Sequence, residues 1–305
     1  MPVKTQLAWH GAPLTEATVI IGIFDGVHKG HQLIIKRAAE LNLPVVALTF
    51  DPHPVSILNP DVAPSELLPL TERIHQLMVN GVSSVVVIEF TKEFADLSPA
   101  EFINQMLVGE LKASAVVVGD NFRFGKKASG DVQFLKENAP FKVFALDLAN
   151  ELSQPVSSTR IREAITGGNI EIARDLLTRP HQLIGKVIHG EKRGRQIGYP
   201  TANIELAKNA TIPSDGVYAG WLTVGVNRWP AAISIGTNPT FAGIRGRQVE
   251  AYALDKKDLD LYDQIAKVEF GWRLRDTIKF AGLDPLLEQM RIDCDKAREL
   301  TRYHA

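Results

Sequence analysis

The sequence predicts an α/β domain built on a parallel sheet, followed by an antiparallel β-barrel that ends in a helix. Three observations predict this. In the first half, short continuous apolar runs alternate with amphipathic helical patterns, as in a parallel sheet covered on both faces. After about Leu177, glycine and proline become frequent and short strand runs recur between turns roughly every 8–15 residues, as in a barrel or sandwich. The length, 305 residues, gives about two domains at ~150 residues each.

Composition narrows the function classes. Lys plus Arg is 34 and Asp plus Glu 35, a formal net charge of −1. That balance leaves no electrostatic footprint for a nucleic acid or a membrane surface, so neither is expected as a partner. Apolar residues at 45% and charged residues at 23% exclude a disordered or fibrous chain. The single cysteine, Cys294, excludes an intramolecular disulfide and a cysteine zinc site, and suits a reducing, cytoplasmic compartment. No apolar run approaches the ~18 residues needed to span a bilayer. Met1–Thr5 shows no basic region followed by an apolar one, so no signal peptide is expected. Composition leaves monomer and homo-oligomer both open.

The elements follow in order. Thr18–Phe24 is the first strand run; after Asp25-Gly26, His31–Leu41 carries Leu33, Ile34, Ala38 and Leu41 at helical spacing. Pro44–Phe50 is the second strand. Thr71 is placed to cap a helix bearing Ile74, Leu77 and Met78, closed by Gly81. Ser84–Phe90 is the third strand, and Ser98-Pro99-Ala100-Glu101 reads as a capping box. Ser114–Gly119 and Lys142–Leu148 complete the sheet. The barrel runs are Leu183–Ile188, Gly216–Val224, Ala231–Ile235, Glu250–Leu254 and Ala266–Phe270, with a helix over Pro285–Tyr303. The texture changes near Thr178–Gln182, which predicts domains over 1–180 and 181–305.

A parallel sheet binds ligands beyond the carboxyl ends of its strands, so chemistry is expected just after Phe24, Phe50 and Gly119. Each place carries a motif. Gly22–His31 (GIFDGVHKGH) joins strand to helix, where glycine admits a close backbone approach and a helix start attracts phosphate. Its two histidines, His28 and His31, are placed to stabilise charge building up in a transition state. Phe50-Asp51-Pro52-His53-Pro54 follows the second strand and Gly119–Gly125 (GDNFRFG) the fourth. Ser157-Ser158-Thr159-Arg160-Ile161-Arg162 opens a helix with hydroxyls and guanidinium groups that suit a polyphosphate. Asp25, His28, His31, Asp51 and His53 also allow a metal-hydrolase cluster. Against that reading, Pro52 and Pro54 stiffen the His53 loop and no glutamate stands in a general-base position.

In the second half, Gly185-Lys186-Val187-Ile188-His189-Gly190 leads to Arg193–Asn203 (RGRQIGYPTAN). A glycine-spaced basic strand and loop cradles phosphates through backbone N–H groups. Thr201 and Asn203 are hard oxygen donors suited to Mg²⁺ shared with ATP.

The HxGH stretch resembles the signature of the nucleotidyltransferase superfamily. Together with the FDPHP, GDNF and SSTRIR elements it looks like the FMN adenylyltransferase module of the prokaryotic bifunctional riboflavin kinase/FAD synthetase family. Pro200-Thr201-Ala202-Asn203 resembles the PTAN motif of riboflavin kinases. Gly216–Gly220 (GVYAG), Ile235–Phe241 (IGTNPTF), Val249-Glu250 and Arg273–Phe280 match further elements in the same order. The resemblance therefore implies a Rossmann-like nucleotidyltransferase domain with HxGH, followed by a β-barrel riboflavin kinase domain.

It also implies roles. In the first domain, Gly22, Phe24, Asp25, His28, His31, Asn121, Ser157, Ser158, Thr159 and Arg162 bind ATP, with His28 and His31 catalytic. Phe50, Asp51, Pro52, His53 and Phe122 face the flavin. In the kinase, Gly185, Lys186, Gly190, Arg193, Gly198, Pro200, Thr201 and Asn203 hold ATP, and Thr201 and Asn203 also hold the metal. Asn203, Glu250 and Arg275 meet the flavin, and Glu250 is the catalytic base. A strand glutamate paired with Arg245 or Arg247 is the alternative for Glu250. The implied cofactor is Mg²⁺ with ATP at both sites, with no tightly bound redox cofactor. The implied partners are riboflavin, FMN, FAD, ATP, ADP and pyrophosphate. An HxGH transferase for another phosphorylated acceptor and a non-catalytic flavin carrier are the competing readings. Two departures from the family pattern concern the flavin-side loops. Asp263 stands where glycine is usual, after a loop lengthened at Lys256–Asp258, and Thr277 stands where Glu is common.

Overall fold

The computed structural model describes residues 7–11, 16–148, 152, 156–190, 197–237, 247–256 and 259–302. They fall into two compact units. One holds the chain to Ser158 except Ser65–Leu68; the other holds Ser65–Leu68 and the chain from Thr159.

The first unit is a six-stranded sheet of β1 (Leu7–His10), β2 (Ala17–Ile21), β3 (Val45–Asp51), β4 (Ser84–Glu89), β5 (Ala113–Gly119) and β8 (Lys142–Leu146). Its order is β1-β4-β3-β2-β5-β8, parallel throughout except for the antiparallel edge strand β1. A two-stranded ribbon, β6 (Arg123–Phe124) and β7 (Gly130–Asp131), lies outside this order. All five β2 residues are buried and four of them are apolar, as in a strand whose two sheet faces are both covered. Helices α1 (Lys29–Ala39), α2 (Pro54–Leu58) and α3 (Leu70–Val79) follow the strands, with short α4 (Lys92–Ala95), α5 (Pro99–Phe102) and α6 (Val132–Asn138) beyond. One core cluster runs from Val19 and Leu48 to Phe94, Phe102 and Phe124.

Ser98 forms the expected capping box: its Oγ accepts from Glu101 N at 3.2 Å and its own N–H donates to Glu101 Oε2 at 2.8 Å. The helix it starts passes into a π-helix over Ile103–Glu110. Thr71 caps nothing; α3 begins a residue earlier, after Pro69, whose fixed φ precedes the helix without a side-chain hydrogen bond.

The second unit is a closed barrel in the order β10-β13-β12-β11-β14-β9, every pair antiparallel. Its strands are β9 (His181–Ile188), β10 (Ala202–Glu205), β11 (Gly216–Val224), β12 (Asn227–Gly236), β13 (Gln248–Ala253) and β14 (Ile265–Arg275). Closure leaves no free edge. Val249, Ala251 and Ala253 of β13 are buried while Gln248, Glu250 and Tyr252 alternate with them on the other face. At Gly220 the strands approach so closely that a Cβ would lie 1.8 Å from the Glu269 carbonyl oxygen.

Helix α7 (Ser158–Thr166) leads to α8 (Ile170–Leu177), which packs on β9 and β14. Arg174 Nη1 donates to the Gly271 carbonyl at 3.4 Å and Glu171 Oε1 accepts from Arg273 N at 3.1 Å. The long α9 (Leu283–Arg302) lies on β11 and β12 and buries Cys294 and Ala297 against Ala219 and Leu254. Burial pushes the Cys294 thiol up to about 11.

Candidate active sites

In the first unit, β2 ends at Ile21 and the chain makes a tight excursion before α1. Phe24 and Val27 take left-handed φ values of 53° and 41°, and Gly26 takes 83°. Such backbone costs about 1–3 kcal/mol at each non-glycine residue and persists only where the surroundings hold it. They do. Val27 N donates to Phe24 O at 3.0 Å, Gln32 Nε2 to Val27 O at 2.9 Å, and Ser158 Oγ to Asp25 O at 2.9 Å.

This turn delivers His28 as the N-cap of α1. Its Nδ1 accepts the His31 backbone N–H at 3.4 Å. The two rings stack at 3.6 Å, 16° from parallel, and Phe24 meets the His31 ring edge-on at 5.2 Å. Gly30 makes this possible, because a Cβ there would come within 3.2 Å of the His28 ring. Gly22 likewise gives room to the Phe24 ring, 3.3 Å from where its Cβ would be. The HxGH residues Gly22, Phe24, Asp25, His28 and His31 therefore lie together, with Asp25 and His28 buried and His31 half-buried. The helix start and two imidazoles suit a polyphosphate and the charge it develops.

The next strand end carries Phe50, Asp51, Pro52 and His53. His53 N-caps α2, its Nδ1 accepting from Val55 N at 3.2 Å. Phe50 packs on Phe90 and Phe94 at 5.8 and 5.9 Å. At the end of β5, the Asn121 Oδ1 folds back to within 3.1 Å of where a Gly119 Cβ would be, and Phe122 stacks on Phe124 at 5.4 Å. Of the SSTRIR residues, Ser157 and Ser158 belong to the first unit; Thr159 and Arg162 belong to the second. There Arg162 Nε donates to the Ser65 carbonyl at 2.5 Å.

The barrel gathers a second group. Asn203 of β10 pairs with Glu250 of β13, and Thr201 Oγ1 donates to Glu250 Oε2 at 3.0 Å. The Asn203 amide lies against Gly190, where a Cβ would be 2.3 Å from Nδ2. Two hard oxygen donors and a carboxylate thus share one patch, chemistry that fits a divalent cation and a hydroxyl to be deprotonated. Gly198 turns at φ 87° with open space on its Cβ side, just before Pro200. Arg247 goes to Asp215 at 2.8 Å and to the Pro213 carbonyl, so it is not the partner of Glu250. Arg193 and Arg245 lie outside the described residues, as does most of the IGTNPTF element.

Three residues have engagements that spacing did not foretell. Gly185 is required by packing, since a Cβ would sit 1.9 Å from the Glu205 carbonyl oxygen. The Lys186 ammonium meets Asp263 at 2.6 Å, raising the lysine and lowering the carboxyl, with Asp263 itself at φ 63°. Arg275 grips Asp293 of α9 through Nε at 3.1 Å and Nη2 at 2.7 Å.

Sequence reasoning missed Thr49 and Arg73, which both donate to the Ile23 carbonyl at 3.0 Å. A signal existed for Arg73. It shares a helical face with Leu70, Ile74 and Leu77, and a charge within an apolar stripe needs a buried partner. Among the described residues no group of three or more His, Cys, Asp or Glu could hold a metal ion. That leaves the metal-hydrolase alternative without a ligand cluster.

Comparison with known proteins identifies both halves. Residues 12–160 match the FAD synthetase family model and residues 177–301 the riboflavin kinase model. The Escherichia coli K12 bifunctional riboflavin kinase/FMN adenylyltransferase is 37% identical over 94% of each chain. The Listeria monocytogenes protein of that name is 38% identical, covering 90% of this chain and 88% of its own. A Streptococcus pneumoniae crystal structure described as a macrolide-efflux protein superposes with a TM-score of 0.83 at 33% identity, covering 93% of this chain and 95% of that one.

Proposed function

The chain belongs to the bifunctional riboflavin kinase/FMN adenylyltransferase family, and from that premise we propose how its residues divide the two reactions. The C-terminal barrel phosphorylates riboflavin to FMN with ATP. The N-terminal domain adenylylates FMN to FAD and releases pyrophosphate. The family is ATP-dependent and works with a divalent metal. We assign residues 1–180 to adenylyl transfer and 181–305 to the kinase; the family matches over 12–160 and 177–301 support the two ends of this division, while Ile170–Leu177 packs on β9 and β14.

In the kinase, Glu250 takes the proton from the ribityl 5′-hydroxyl as that oxygen bonds to the γ-phosphorus and ADP leaves. The observation that carries this is the Thr201–Glu250 hydrogen bond at 3.0 Å, with Asn203 paired beside it. It orients one carboxylate oxygen and gives the other to the substrate. Thr201 and Asn203 would hold Mg²⁺, which when bound neutralises charge on the transferring phosphoryl group. Gly185, Lys186, Gly190, Arg193, Gly198 and Pro200 line the ATP side; Lys186 must exchange Asp263 for phosphate to do so. Arg275 serves the flavin side by fixing α9 through Asp293.

In adenylyl transfer, an FMN phosphate oxygen attacks the α-phosphorus of ATP as the bond to pyrophosphate breaks. The nucleophile is already an anion, so no base is needed. Positioning and charge stabilisation carry the step. His28 and His31 stabilise the charge that develops on the phosphoryl groups, while Gly22, Phe24, Asp25, Asn121, Ser157 and Ser158 hold ATP. Phe50, Asp51, Pro52, His53 and Phe122 receive the flavin. Flavin is substrate and product here, not a resident redox group. The lone, buried Cys294 suits the cytoplasm. Although the Streptococcus pneumoniae structure is described by efflux, the matched catalytic elements favour flavin chemistry. Among the described residues no helix is long and apolar enough to cross a membrane.

The test is chromatography of products after incubating the pure protein with riboflavin, ATP and Mg²⁺. FMN followed by FAD is the expected result. Flavin bound without either product would overturn the reading in favour of a flavin carrier.

A further inference from the structure

We propose that Arg73 is a positioning residue for adenylyl transfer: its buried guanidinium locks the loop that delivers His28 and His31 to the loop that follows β3. The inference rests on the assignment of adenylyl transfer to this domain.

The geometry is specific. Arg73 Nη1 donates to the Ile23 carbonyl at 3.0 Å, and Nη2 reaches Asp51 Oδ1 at 3.4 Å. Ile23 is the last residue before the left-handed turn at Phe24, and His28 lies five residues on. Asp51 ends β3, immediately before Pro52 and His53. One planar fork therefore spans the two strand ends where nucleotide and acceptor are expected to meet. Thr49 donates to the same Ile23 carbonyl at 3.0 Å and so ties it to β3, but Arg73 also engages Asp51, the residue from which the following loop departs. A guanidinium alone has both the reach and the two parallel donors. The Arg73 side chain is 6% exposed against 41% for Asp51, so the cation is the buried partner and the carboxylate the solvated one.

Such a residue touches no reacting atom. Its loss should misplace the histidines more in the transition state than it weakens ground-state binding, so the effect falls on kcat and spares KM. The test uses the full chain with Arg73→Met and Arg73→Lys, measuring FAD formation from FMN and riboflavin phosphorylation side by side. Arg73→Met is expected to lower kcat for FAD formation about 10- to 100-fold, with KM for ATP and FMN within about threefold. Arg73→Lys keeps the charge but holds only one of the two partners, and should recover part of the loss. Riboflavin phosphorylation should stay within about twofold, which separates this role from a general effect on folding. If Arg73→Met does not fold, Arg73→Lys decides. FAD formation within twofold of the unaltered enzyme would overturn the proposal. So would a change in KM alone, or an equal fall in both activities. Failure of the unaltered enzyme to make FAD would instead overturn the functional assignment beneath it.

Discussion

Replacing Glu250 by glutamine separates catalysis from stability in the kinase. The amide matches the carboxylate in shape, and its oxygen can still accept the Thr201 hydroxyl now 3.0 Å from Oε2. The backbone pairings of residue 250 with Asn203 and Ser234 do not involve the side chain. The structural cost is the difference between a charge-assisted and a neutral hydrogen bond at a half-buried position, about 1 kcal/mol. The lost function is proton abstraction, which contributes roughly 10²–10⁴ in rate, or about 3–5 kcal/mol of barrier. The rate effect thus exceeds the stability effect several-fold. The assay is FMN production from riboflavin and ATP, resolved by chromatography, beside FAD production from supplied FMN. Glu250→Gln should lower the first by about 10²–10⁴ and leave the second unchanged. FMN formation within tenfold of the unaltered enzyme would refute the base assignment. A parallel loss of FAD formation would refute the division of labour.

His31→Ala removes the ring stacked on His28 and should lower FAD formation by about 10²–10³. FMN formation serves as the control, and an equal fall in both would count against the assignment. The buried His181, whose Nε2 bonds the Thr211 carbonyl at 2.8 Å, is pushed down to about 4, chiefly by desolvation. Below its ordinary value of 6.5 the unfolded chain takes a proton that the folded barrel refuses. Stability from this group is therefore complete above about pH 6.5 and is lost towards about pH 4, by about 3 kcal/mol. Urea unfolding across that range checks it, and a slope unaltered in His181→Phe would assign the loss elsewhere. Gly185→Ala would place a methyl 1.9 Å from the Glu205 carbonyl oxygen, forcing β9 from β10. It should destabilise the barrel by about 3 kcal/mol, read by thermal unfolding.

Much of the fold was legible because local pattern and global fold agree. Pro44–Phe50 and Ser84–Phe90 read as strands from apolar runs, and the strands fall at Val45–Asp51 and Ser84–Glu89, since burial on both faces demands such runs. The edge strand Leu7–His10 was not legible, because four residues are too few to show a period. The short β10 was hidden for the same reason, although its PTAN residues were singled out for their chemistry. The residues of the HxGH stretch lie close together because they fall within one turn and one helix start. The Thr201–Glu250 contact joins residues 49 apart in sequence, so spacing could nominate both without showing that they touch.

The order of the domains, the apolar strands, the capping box at Ser98 and the motifs nominated for the two sites are all legible along the chain. Each is written in residues close along the chain, where periodicity, glycine and capping chemistry act directly. That Arg73 meets Ile23 and Asp51, that Lys186 answers Asp263, that Arg275 holds the terminal helix through Asp293, and that α8 packs with the barrel emerges from long-range packing. These pairings depend on which surfaces closure of the sheet and the barrel brings together. A buried charge declares in the sequence that it needs a partner, and the fold chooses which one.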